Sequence, residues 1–417
     1  MNAFILPVGD ELLIGQVTDT NSTWIARQLN LLGINVRHAF SVGDTHEEIV
    51  KAIGYGLSQA EILIMTGGLG PTKDDITKKA IADFLGVELF FHEETWRKIR
   101  QIYERLGKTA GESSRIQCFL PQGAKILNND VGTAPGMWFN YGQKVIISLP
   151  GVPSEMKYIM EMEALPLLQE HFPGEPIAHR TVLTAGAGET ELAALLEDFE
   201  NNLPESIKLA YLPAYGQVRL RLSGKGGDEK SLNAILDSKA SEMEKIVSRF
   251  VFGRGEKSLE SAIGEVLREH KMTIATAESC TGGLISHKLT SIPGSSDYFT
   301  GSIIAYAYEA KIKHLKVKPD TLEQFGAVSE ECVREMISGI LAAMDADYGI
   351  SISGIAGPGG GTENKPVGTI WIAVGSKYKT VTRKIGFNRN RAINIEYASN
   401  AALAMMWNLL KEELRPK

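Results

Sequence analysis

Two short stretches in the last third of the chain carry residue types that together could hydrolyse an amide. Ala277-Glu278-Ser279-Cys280-Thr281-Gly282-Gly283 puts a serine at the end of an apolar run, ahead of a glycine pair that opens a helix. Ile304-Ala305-Tyr306-Ala307-Tyr308-Glu309-Ala310-Lys311 supplies a lysine one element later. A serine hydroxyl is a weak nucleophile until a base takes its proton, and an uncharged lysine amine can be that base. Such chemistry needs neither metal nor histidine. Backbone N–H groups beside the serine would stabilise the oxyanion. Two plainer readings stand beside this one. Ser279 can be a helix cap with Lys311 a solvated helix residue, or Cys280 can be the nucleophile, provided it has a base or a positive neighbour.

Further segments of the same region suit a phosphorylated ligand. Pro293-Gly294-Ser295-Ser296 is a turn exposing two hydroxyls. Ser351-Ile352-Ser353-Gly354-Ile355-Ala356-Gly357-Pro358-Gly359-Gly360-Gly361 ends a strand in a glycine loop fit for a phosphate or a ribose. Arg389 and Arg391 open the last helix and suit an anion, although arginines at helix starts also lie on plain surface.

The N-terminal third shows a different chemistry. Three loops follow apolar runs: Gly9 to Gly15, continued by Asp19 to Ser22; Val42-Gly43-Asp44; and Thr66 to Thr77. Gly67, Gly68, Gly70 and Thr72 let backbone N–H groups approach an anion, and the next helix adds its dipole. Glu11, Asp44, Asp74 and Asp75 are candidate ligands for a divalent metal that bridges phosphate oxygens. The alternative is that Asp75 caps its helix and the glycines serve only the turn. Asn129-Asp130 to Gly136 and Leu149 to Glu155 are candidates for the rim.

These loops need a scaffold that brings strand ends together. Strands are expected at Phe4–Val8, Val36–Val42, Ile62–Thr66 and Lys144–Leu149. Helices are expected at Asn21–Leu32, at Thr45–Ser58 with Thr45 as cap, at Asp75–Leu85 and from Ser154. This βαβ rhythm predicts a doubly wound parallel sheet. From Phe172 the character changes to a small α+β unit. Its strands are expected at Arg180–Thr184, Ile207–Leu212 and Val218–Leu222, and its helices at Glu189–Phe199 and Ser231–Val247. Gly224-Lys225-Gly226-Gly227 fits the GxxG of KH modules, but it follows a strand rather than a helix and reads as a turn. The last region is expected to hold helix Leu259–Glu269 and strands Thr273–Ala277, Ile303–Tyr306 and Tyr348–Ser353. An antiparallel pair, Thr369–Val374 and Thr380–Ile385, and a helix over Arg389–Leu410 complete it.

Composition bounds the function. The chain has 417 residues, 43% hydrophobic and 23% charged, enough for two or three domains with ample cores. Lys and Arg number 44 against 50 acidic residues, and no basic run stands out, so direct nucleic-acid binding is not expected. Three cysteines, Cys118, Cys280 and Cys332, are scattered and fit reduced thiols in the cytoplasm rather than a disulfide scaffold. No signal peptide or membrane span is evident.

The motifs also resemble a known family. Gly-Asp-Glu-Leu-Leu near the N-terminus, the Thr66–Thr77 loop and Leu-Pro-Gly-Val-Pro resemble the molybdopterin-binding-like N-terminal domain of the CinA family (competence/damage-inducible protein A). Ala-Glu-Ser-Cys-Thr-Gly-Gly, Pro-Gly-Ser-Ser, Ala-Val-Ser, Ser-Gly-Ile-Ala-Gly-Pro and Lys-Pro-Val-Gly-Thr occur in the order of that family's C-terminal domain. The resemblance implies three domains, at 1–170, 171–255 and 256–417. For the first it implies hydrolysis of ADP-ribose to AMP and ribose 5-phosphate with magnesium, manganese or cobalt, with potassium as a candidate additional ion. For the last it implies deamidation of nicotinamide mononucleotide without a cofactor. Ser279 would then be the nucleophile and Lys311 the base, Tyr306, Ser296 and Ser353 would support the dyad or the amide, and Arg391 would hold the phosphate. A homodimer is expected. Two other functions stay open. The N-terminal domain could bind a nucleotide or pterin without catalysis, and the protein could be a scaffold tied to DNA competence or recombination.

Overall fold

The computed structural model describes residues 1–72, 75–105, 107–387 and 389–414. The chain divides into two compact units. One comprises Met1–Ala178 with Lys225–Leu232; the other comprises His179–Gly224 with the chain from Asn233 on.

In the first unit, β1 (Asn2–Pro7), α1 (Thr20–Leu31), β2 (Asn35–Ala39), α2 (His46–Gln59), β3 (Ile62–Thr66) and α3 (Thr77–Leu85) alternate as expected. After them come β4 (Lys125–Leu127), β5 (Gly136–Tyr141), β6 (Lys144–Leu149) and α4 (Pro153–Ile159). The sheet order is β2-β1-β3-β6-β5-β4. β2, β1, β3 and β6 run parallel, whereas β5 and β4 are antiparallel additions that the sequence reading did not foresee. β3 is buried along its whole length, because helices cover both faces of a parallel sheet. The chain leaves β1 for one neighbour and returns to the other, so the β1/β3 boundary is a topological switch point. Helix α3 starts at Thr77, not at Asp75; the Asp75 carboxylate instead accepts from Thr72 N at 2.7 Å and from Thr72 Oγ1 at 2.5 Å. Thr45 stands at the N-cap of α2, but its side chain makes no capping bond.

A four-stranded sheet of order β8-β9-β7-β10 comes next in the chain, most of its residues in the second unit. Its strands are β7 (Ile177–Ala185), β8 (Ile207–Ala214), β9 (Gln217–Lys225) and β10 (Val251–Arg254), with helices α5 (Glu189–Asn201) and α6 (Glu229–Ile246). Gly224 and Lys225 end β9, and Gly226-Gly227 bend the chain toward α6.

The rest of this unit includes α7 (Leu259–Glu269), β11 (Ile274–Glu278), α8 (Leu284–Thr290), β12 (Phe299–Ile304), α9 (Tyr308–Leu315), a short helix Pro319–Phe325, α10 (Glu330–Met344), β13 (Tyr348–Gly354), β14 (Thr369–Ser376), β15 (Thr380–Gly386) and α11 (Arg391–Leu414). The sheet order is β12-β11-β13-β14-β15. β12, β11 and β13 are parallel, and β14 and β15 form the expected antiparallel pair. Here too the chain leaves β11 for one neighbour and returns to the other, which makes β11/β13 a second switch point. β12 ends two residues earlier than expected, so Tyr306 lies beyond the strand, and Lys311 rides on α9, a helix of its own.

Candidate active sites

The switch point at β11/β13 opens a pocket of about 360 Å³. β11 is an apolar, fully buried strand, which fixes the position of the turn that follows it. That turn carries Ser279, which is buried and lines the pocket. Lys311 reaches it from α9: Lys311 Nζ lies 2.9 Å from Ser279 Oγ and also donates to Ala305 O at 2.7 Å and Tyr306 O at 3.2 Å. The lysine is only 1% exposed. None of its three partners is a carboxylate, so burial pulls its pKa below the usual lysine value, against a smaller opposing influence of Cys332 and Cys280. A buried amine with a serine hydroxyl and two carbonyls around it is equipped to work uncharged, as a base requires. Ser279 is therefore no helix cap and Lys311 no solvated residue: α8 starts five residues on, with Gly283 at its N-cap.

Cys280 also lines the pocket, but burial pushes its thiol up to about 12, so it stays protonated at neutral pH and is a poor nucleophile. Tyr306 is exposed, and its hydroxyl accepts from Arg391 Nη2 at 2.9 Å. Arg391 Nη1 donates to Gly357 O at 2.8 Å. Ser353 and Gly354 line the pocket from the end of β13. Gly357 has a φ of +91°, and a Cβ there would meet Val367 Cγ1 at 2.6 Å, so the bend of this loop depends on glycine.

Ser296 is a correction. It sits in the single turn Ser295–Asp297 ahead of β12, whereas the pocket lies beyond the C-terminal ends of β11 and β13. Because β11 and β12 are parallel, that turn is at the opposite edge of the sheet, and Ser296 is not among the residues around the dyad.

Glu278 was missed. Its fully buried carboxylate accepts from Gly283 N (3.1 Å), Ile285 N (3.1 Å), Ser286 N (2.8 Å), Ser286 Oγ (2.5 Å) and Thr281 Oγ1 (2.7 Å). It thereby satisfies the free N–H groups that open α8 and ties down the turn from both sides of Ser279. A carboxylate closing an apolar strand just before the serine was the available signal.

The switch point at β1/β3 opens a second pocket, of about 570 Å³. Glu11, Asp44, Asp75, Gly67, Gly68, Gly70 and Thr72 all line it, as does Glu155 from the rim. Asp74 lies outside the described residues. The carboxylates are held in place: Asp44 Oδ2 accepts from Asp10 N and Asp10 Oδ1 from Asp44 N, each at 3.1 Å. Gly67 has a φ of +101°, and a Cβ on it would stand 2.2 Å from Val8 O. A Cβ on Gly70 would stand 2.5 Å from Asp75 Oδ2, so that glycine makes room for a carboxylate. Among the described residues no three His, Cys, Asp or Glu side chains close on one point. The donors are nonetheless hard oxygens. Oxygens of this kind suit a magnesium-like ion held by one or two carboxylates. Asn21 also lines this pocket; its Oδ1 is buried and has no hydrogen-bond partner among the described residues.

Three family models match the chain. The probable molybdopterin binding domain covers 4–170, the damage-inducible protein CinA KH domain covers 179–253, and the CinA C-terminal domain covers 256–410. A CinA-like protein of Cytophaga hutchinsonii is 42% identical over 98% of both chains. The chain belongs to the CinA family. Another CinA-like protein, from Flavobacterium psychrophilum, is 41% identical over 98% of each chain. Among solved structures, the competence/damage inducible protein CihA of Agrobacterium tumefaciens is 34% identical, covering 36% of this chain and 93% of its own, with a TM-score of 0.36. The middle domain of this CinA-family chain is thus KH-like by sequence, although its glycine run follows a strand. No helix among the described residues is long and apolar enough to cross a membrane.

Proposed function

We propose that the C-terminal pocket hydrolyses the carboxamide of nicotinamide mononucleotide, giving nicotinate mononucleotide and ammonia. The observation that carries this reading is the 2.9 Å contact between the buried Lys311 amine and the Ser279 hydroxyl. As Ser279 Oγ bonds to the amide carbon, its proton passes to the uncharged Lys311 Nζ. The carbonyl π pair moves to oxygen, and the backbone N–H groups of Cys280 and Thr281 stabilise that oxyanion, those of Ser279, Gly282 and Gly283 being held by Ile352 O, Ser279 O and the Glu278 carboxylate. When the carbonyl re-forms, the C–N bond breaks, Lys311 returns the proton to the leaving nitrogen, and ammonia departs from an acyl-Ser279 ester. A water then attacks the ester with Lys311 again as base. The tetrahedral species collapses with loss of Ser279 Oγ, which takes the proton back. The test is ammonia release from the mononucleotide by the full-length protein and by Ser279→Ala; equal turnover in the two sinks the mechanism.

The N-terminal pocket, in the same reading, hydrolyses ADP-ribose to AMP and ribose 5-phosphate. Its support is the set of carboxylates and positive-φ glycines lining one switch-point pocket. Glu11, Asp44 and Asp75 would hold a divalent ion, which when bound supplies charge neutralisation at the pyrophosphate. Gly67, Gly68 and Gly70 let backbone approach the phosphates, and Asn21 Oδ1 offers an acceptor for a ribose hydroxyl. A chelator is expected to abolish this hydrolysis and to leave ammonia release intact.

A further inference from the structure

The pocket around the dyad is unbalanced in charge. Lys311, Lys365 and Arg391 line it, and among the described residues no Asp or Glu does. Lys311 is given over to Ser279 and two carbonyls, and its burial favours the uncharged form. Lys365 and Arg391 are therefore the lasting positive charges. Both are fastened by neutral oxygens: Arg391 by Gly357 O and Tyr306 Oη, and Lys365 by Phe325 O at 2.6 Å. A neutral acceptor holds a cation in place without cancelling its charge, so both keep their pull on an anion. They also come from different elements. Lys365 belongs to the loop between β13 and β14, and Arg391 is the first residue of α11. The fold thus brings two unneutralised cations to one cavity whose other polar groups are hydroxyls and backbone.

We propose that Lys365 is a second substrate-anchoring residue, and that with Arg391 it selects a dianionic phosphate monoester over the corresponding nucleoside or a phosphodiester. The amide-hydrolysis reading supplies the reacting end of that substrate; the selection rests on the charge pattern. A monoester carries about 1.5 to 2 negative charges at neutral pH, its second pKa being near 6. A diester carries one and a nucleoside none. The guanidinium fork takes two phosphate oxygens and the compact ammonium a third. A nucleoside would leave both cations against no partner.

The test uses the full-length protein with Lys365→Met, Lys365→Arg and the Lys365→Met/Arg391→Met pair. Ammonia release is measured on nicotinamide mononucleotide and nicotinamide riboside, and ribose 5-phosphate is titrated calorimetrically. Lys365→Met is expected to raise KM for the mononucleotide about tenfold or more while kcat changes far less, the mark of a contact kept from ground state to transition state. The preference for mononucleotide over nucleoside falls by the same factor, and Lys365→Arg recovers most of it. Ribose 5-phosphate heat that vanishes with Lys365→Met belongs to this pocket; heat that persists in the double variant belongs elsewhere. An unchanged mononucleotide KM together with an unchanged titration overturns the proposal. A wild-type protein that releases no ammonia yet binds ribose 5-phosphate in a Lys365-dependent way overturns the amide reading and leaves the anion site standing.

Discussion

Lys311 Nζ and Ser279 Oγ meet at 2.9 Å although 32 residues separate them. The serine follows β11 and the lysine is one turn into α9, after β12. Parallel pairing of β11 with β12 brings both C-terminal ends to one edge, and Ala305 and Tyr306 carbonyls then hold the amine over the hydroxyl. Removing either member should lower ammonia release by several orders of magnitude, and the double variant should be little worse than either single, because the two act as one unit. A steady-state ammonia assay on Ser279→Ala, Lys311→Met and the pair checks this.

The lowered pKa of Lys311 sets the direction of the pH profile. The ammonium cannot accept a proton, so kcat/KM should rise with pH through the folded-state pKa of Lys311 and then level off. The stability effect has a definite sign. Between the lowered folded pKa and the ordinary unfolded one the unfolded chain binds more protons, so this residue's contribution to stability improves as pH rises across that window. Lys311→Met removes the buried charge. Its thermal stability relative to wild type should therefore be greatest at low pH and decline toward alkaline pH, as parallel melting curves would show.

Cys280 sits next to Ser279 with its thiol pushed up to about 12. Cys280→Ala should keep deamidation within a few-fold of wild type, and iodoacetamide at neutral pH should leave the rate unaffected. Rapid inactivation that Cys280→Ala prevents would transfer the nucleophile's role to the thiol.

Glu278 accepts from three backbone N–H groups of the turn and helix α8. Glu278→Gln keeps one accepting oxygen and turns the other into an NH2 donor, so either Gly283 N and Ile285 N or Ser286 N is left facing a donor. The loss should be about 1–3 kcal/mol, the cost of leaving buried donors without an acceptor. Urea unfolding measures the stability. Single-turnover kinetics should show a slower acylation step with substrate binding nearly intact, because the turn that carries Ser279 is loosened.

Gly67 is the sharpest probe of the other pocket. Gly67→Ala places a Cβ at a φ of +101° and 2.2 Å from Val8 O, so β1 and β3 must part at the switch point. ADP-ribose hydrolysis should fall at least about tenfold while ammonia release stays at the wild-type rate, given that Gly67 lies in the other compact unit.

Much of the architecture could be read without coordinates. Ile62–Thr66 and Lys144–Leu149 are continuous apolar runs, and such runs mark strands buried on both faces. The glycines after Ile62–Thr66 pointed to a ligand site, and Gly67 and Gly68 there take the positive φ that favours glycine. The alternating rhythm implied a parallel sheet, but the short β4 and β5 escaped notice, since three- to six-residue runs carry little period. The expected helix over Asp75–Leu85 starts two residues later, at Thr77, and the Asp75 carboxylate accepts from Thr72.

What the chain's residues gave by themselves was a set of candidate groups: a serine and a lysine in one region, carboxylates and glycines in another. Local patterns encode residue type and backbone freedom, and those carry through to function. Strand order belonged to the tertiary structure, and strand order decided which residues meet. It separated Ser296 from Ser279, drew Lys365 and Arg391 to one cavity, and buried Lys311 without a carboxylate partner, because proximity across a sheet and the loss of water are properties of packing rather than of spacing along a chain.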